Sequence, residues 1–231
     1  MSIEAAITRT MSDLGYLRKK ANIYRAEWSL PDVEHFLYVE MWGKPKQFLA
    51  FDFGFKNPPS WIFAITEIRK YGGKVFQDMK PNDPYPFSNS FSLGRFAGWP
   101  YRDSLSLFQL SGTSLQTKLK IDIENRLFPI IRPLFNIDRL LEFLLIDAEP
   151  CPWWRSAAGI RAAQIAHLAR RVGWRDADIR EALRPFEKPI IQSMPRTVPN
   201  PAAYLDSIIS DSVDVTEDIN RGAQQDRLDR V

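Results

Sequence analysis

The longest alternation of apolar and polar positions in the chain runs from Glu34 to Phe55, EHFLYVEMWGKPKQFLAFDFGF. By the two-residue period of a strand, Phe36, Tyr38 and Trp42 fall on one face, and Leu37, Val39 and Met41 on the other. Gly43-Lys44-Pro45-Lys46 supplies turn residues, after which Leu49, Phe51, Phe53 and Phe55 line one face against Phe48, Ala50, Asp52 and Gly54. The pattern predicts two long antiparallel strands in a sheet covered on at least one side. Tyr16 to Trp28 predicts a third strand, turned into the pair by Leu30-Pro31-Asp32, so the expected centre is a three-stranded meander.

Elsewhere the period is helical. Ile3, Ile7, Met11 and Leu14 lie between a capping Ser2 and a terminating Gly15. Ser60 is placed to cap a short helix that carries Trp61, Ile65 and Ile68 on one face. Thr113 and Gln116 have capping-box spacing ahead of Leu115, Leu119, Ile123 and Leu127, an apolar stripe at every fourth residue. Pro129 and Pro133 must kink or end that helix. Asn136 or Asp138 starts the next, whose apolar surface is Leu140, Leu141, Leu144 and Leu145. Ser90 to Phe96 and Leu105 to Leu110 read as further strands, although short apolar runs fit helix as well. Two more helices, Trp153 to Val172 and Asp176 to Arg184, meet at Gly173-Trp174, and prolines multiply from Pro185 onward. The expected fold class is α+β. Residues 1–150 form an antiparallel sheet with helices mainly on one face, 151–195 a C-terminal helical pair, and 196–231 a Pro-rich linker with a disordered acidic tail.

One order of parts has a counterpart. An amphipathic helix leads into Leu14-Gly15-Tyr16-Leu17-Arg18-Lys19, then the basic strand Ile23-Tyr24-Arg25, the long strands Tyr38 to Trp42 and Phe48 to Phe55, and the Pro-containing helix Leu127-Phe128-Pro129-Ile130-Ile131. Over roughly residues 1–147 this resembles the bacterial DUF4304-type proteins. The resemblance implies a small α+β protein with no assigned activity and an immunity-like or defence-associated role.

Composition narrows the chemistry. With 45% hydrophobic and 26% charged residues, 231 residues suffice for a sizeable core, and a net charge of +3 does not by itself call for nucleic acid. Cys151 is the sole cysteine, so no intrachain disulfide forms; flanked by Pro150 and Pro152, it reads as an inert, partly buried thiol. His35 and His167 are the only histidines, so a metal site would need mostly carboxylates, and neither a metal nor a cofactor is expected. His167, between Ala166 and Leu168, reads as a packed or half-exposed helical histidine rather than a base. No nucleophile elbow, P-loop or dinucleotide fingerprint occurs. The N-terminus lacks a signal-peptide run and no window approaches about 20 apolar residues, so a cytoplasmic protein without a membrane span is expected.

Three readings of function compete. The first is a non-enzymatic module that binds another protein, through the sheet edge or through the Pro/aromatic segment Pro81 to Tyr101, with Tyr85, Phe87, Trp99 and Tyr101 as candidate contacts. Aromatics interleaved with proline also pack a long loop onto its own core. The second is a DNA-binding regulator. Ala169, Gly173 and Ile179 have helix-turn-helix spacing among Arg170, Arg171, Arg175, Arg180 and Arg184. A plain αα-hairpin needs the same small residues, and Asp176 and Asp178 would face phosphate unfavourably. The third is an enzyme centred on Asp52, the one carboxylate between Phe51 and Phe53; its ordinary reading is a wetted outer face of the sheet. Arg18-Lys19-Lys20 reads as a solvated strand start rather than a phosphate site.

Overall fold

The computed structural model describes residues 1–20, 22–30, 32–43, 47–71, 90–100, 104–108, 110–146, 154–155, 158–193 and 200–212. The chain forms two compact units that alternate along the sequence. One unit takes Met1–Asn57, Pro84–Arg139 and Cys151–Arg155; the other takes Pro58–Asp83, Leu140–Pro150 and Ser156–Val231.

The first unit opens with α1 (Ile3–Asp13), β1 (Tyr16–Lys20), β2 (Ile23–Ala26), β3 (Glu34–Trp42) and β4 (Phe48–Lys56). All strand pairs are antiparallel. The single strand expected over Tyr16 to Trp28 is instead a hairpin, with Asn22 in its turn, so the meander has four strands. Across β3 and β4, Leu37 pairs with Phe53, Val39 with Phe51 and Met41 with Leu49, which puts the expected apolar residues on one face. Tyr24 of β2 pairs with Leu37 and joins that face. Tyr24, Leu37, Val39, Leu49, Phe51, Phe53 and Phe55 are all buried. The other face carries the pairs Tyr38–Asp52 and Trp42–Phe48, all half-buried.

Beyond β4, the segment read as a strand from Ser90 to Phe96 splits. β5 (Ser90–Ser92) pairs with β4 and is followed at once by α3 (Leu93–Ala97), where Gly94 and Arg95 carbonyls accept the closing amides. The strand expected at Leu105 to Leu110 is only β6 (Leu105–Ser106), set against the start of β4. Next comes α4 (Gly112–Asp122), capped by the Ser111 hydroxyl rather than Thr113; Gln116 instead donates to Asp13. Its stripe Leu115, Leu119, Ile123 and Leu127 is fully buried, as the spacing requires. Pro129 lacks an N–H and crowds the carbonyl four residues back. The helix accordingly widens to a π turn over Ile123–Leu127 before α5 (Phe128–Ile131). α1 packs on α4, so closely that a Cβ at Gly112 would run into the Met1 carbonyl oxygen. Asn136 caps α6 (Ile137–Leu145) through a bond from the Arg139 amide, and β7 (Trp154–Arg155) pairs with β5.

The second unit is helical. α2 (Pro58–Lys70) starts two residues before the expected cap, so Ser60 lies buried inside it, with Trp61, Ile65 and Ile68 inward. α2 packs on α7 (Ala158–Arg171), a helix buried from Ala158 to Ala169 on every side. Gly173, at φ 86°, ends α7; its amide and that of Trp174 bond back to the Arg170 and Ala169 carbonyls. α8 (Asp176–Leu183) follows, then a 3-10 turn at Arg184–Phe186 and α9 (Glu187–Ser193), so order continues past Pro185 and Pro189.

The tail expected from 196 is also corrected in part. Residues 201–212 form α10, with Tyr204, Leu205, Ile208 and Ile209 buried, while 213–231 lie outside the described residues. The acidic composition had masked an i, i+1, i+4, i+5 apolar stripe. The Tyr204 hydroxyl donates to the Gly159 carbonyl at 2.9 Å. Lys70 joins α2 to α10, its ammonium lying 2.7 Å from both Glu67 and Asp211. Among the described residues no helix is long and apolar enough to cross a membrane.

Candidate functional site

Among the described residues of the first unit, a cavity and an aromatic surface present chemistry to solvent. The first is a cavity of about 260 Å³ where α1 lies over one end of the sheet's apolar face. Ile7, Val39 and Met41 make its apolar surface, with Tyr24 beside them. Its rim is polar: Glu4 and Thr8 from α1, Arg18 from β1 and Asn22 from the hairpin turn. The period of each element explains the set. Glu4, Ile7 and Thr8 are the i, i+3, i+4 positions of one helical face. Arg18 pairs with Tyr24, which fixes it on the same side of the sheet. A bulge between Arg18 and Lys20 ends the regular pairing here, and the Arg18 Nε makes a long contact of 3.4 Å to the Lys20 carbonyl.

The second is an aromatic surface at the hairpin end of β3 and β4. The Trp42 and Phe48 rings stack with centroids 4.5 Å apart, and Trp42 Nε1 donates to the Ser104 hydroxyl at 3.3 Å. Ser106 of β6 pairs with Phe48, and Phe108, two residues on, is 73% exposed. A phenylalanine so exposed costs solvation free energy that an interface would recover.

The residues named from the sequence fare differently. Trp99 is only 6% exposed: it packs edge-on against Phe51 and donates Nε1 to the buried Asp122 carboxylate at 3.0 Å. Asp122 is further paired with Lys118 at 3.1 Å and Arg126 at 3.6 Å. Trp99 is therefore a core residue, not a surface contact, and its hydrogen bond is the reason a tryptophan is tolerated there. Tyr85, Phe87 and Tyr101 lie outside the described residues. Asp52 lies on the face away from Phe51 and Phe53, half-buried, opposite Tyr38 and Ser92.

Four of the five arginines named from the C-terminal helices are paired with carboxylates of their own unit. Arg170 pairs with Asp176, Arg180 with Asp206 and Arg184 with Glu181. Arg175 grips Asp178 through two bonds, at 2.8 and 3.0 Å. Arg171 is half-buried near His167. Each carboxylate neutralises a charge that phosphate contact would need.

Neither histidine is placed for acid–base work. His35 is buried, its Nε2 lies 2.9 Å from the Leu134 carbonyl, and desolvation lowers its pKa to about 4 despite that bond. His167 is buried against Phe63, ring centroids 5.3 Å apart, and desolvation, aided by the Arg171 charge, lowers it to about 4. Glu67, buried beside Lys70, is raised by desolvation, and burial likewise raises the Tyr16 and Tyr204 phenols. Among the described residues no three His, Cys, Asp or Glu side chains gather as a metal would require.

Sequence reasoning missed both solvent-facing features. Glu4 and Thr8 carried no signal beyond helix surface, and Arg18 read as part of a solvated run. Phe108, in the run SLSLFQL, resembled another buried strand position. No family model matches the chain, and no curated protein or solved structure matches it either.

Proposed function

We propose that the chain is a non-enzymatic module that binds another protein through the Trp42–Phe48–Phe108 surface. The observation that carries this reading is the exposure of Phe108, two residues beyond Ser106, whose strand partner Phe48 belongs to a stacked aromatic pair, since aromatic residues are enriched at interfaces. The DNA-binding reading is weaker, because the arginines that would support it face carboxylates. A defence-associated role rests on the likeness to the DUF4304-type proteins and belongs to the proposal.

A photocrosslinking residue placed at Phe108 tests the reading inside the native cell. The expected result is one dominant protein adduct from position 108 and none from Thr8, which is also exposed. Equal adducts from both positions, or none from either, would contradict it.

A further inference from the structure

We draw no further inference here: the strongest candidate, the open groove of about 520 Å³ along the outer side of α4 between Thr113 and Asp122, carries none, because the buried Asp122 carboxylate that lines it is already taken up by Trp99, Lys118 and Arg126 and nothing in the structure shows what covers the rest.

Discussion

His167 lies on α7 against the Phe63 ring, and protonating it would place a charge inside the helical unit. Its pKa is about 4 in the folded chain and returns to the ordinary 6.5 on unfolding. The stability this provides is complete above pH 6.5 and is lost as pH falls through about 4. A shift of this size corresponds to about 3 kcal/mol when fully expressed. Urea unfolding at pH 7 and pH 4.5 should therefore show a smaller acid loss in His167→Leu than in the wild type, by about 2 kcal/mol. Equal losses would show that the imidazole protonates at the same pH in the folded and unfolded chain. Gly112 offers a test of sign. Gly→Ala within an exposed helix stabilises by about 1 kcal/mol, but here the new methyl meets the Met1 carbonyl. Gly112→Ala should instead destabilise by about 1–3 kcal/mol, as overpacking does; a rise in melting temperature would mean that α1 yields. Neither effect was legible in the sequence, because both depend on which helix lies opposite.

At the scale of elements, the apolar periods located the long strands and the face of α4, since burial of a whole stripe outweighs local propensity. Leu119 and Ile123 are both fully buried, so Leu119→Ala and Ile123→Ala should each cost about 2–5 kcal/mol in chemical denaturation. Near-neutral values would contradict the packing of that stripe. Boundaries were less legible where one residue decides them. Asn22 turns an apparent strand into a hairpin, and the Ser111 hydroxyl takes the cap from Thr113. α10 was hidden because its stripe sits among aspartates that are themselves engaged, Asp206 by Arg180 and Asp211 by Lys70. Ending the chain at Asn200 should lower the melting temperature by several degrees, since four buried apolar side chains leave with α10. An unchanged midpoint would show that the helix contributes nothing to the fold.

For the whole molecule, the α+β class followed from the alternation of strand and helix periods, whereas the solvent-facing chemistry did not. The cavity is assembled from α1, β1, β2 and β3, whose adjacency no single stretch of sequence displays. The aromatic surface depends on β6 pairing with β4, which sets Ser106, two residues before Phe108, against Phe48. The sequence features that looked most functional, Trp99 and the arginine-rich helices, turn out to be satisfied internally by Asp122 and by carboxylates of the helical unit. The most direct test of the interaction reading is a calorimetric titration of the purified chain with the purified protein that crosslinks to position 108. Phe108→Asp should weaken that complex at least tenfold with an unchanged melting temperature, while Arg170→Ala/Arg171→Ala/Arg175→Ala leaves the affinity intact. Full affinity in Phe108→Asp, or loss confined to the arginine variant, would contradict the account.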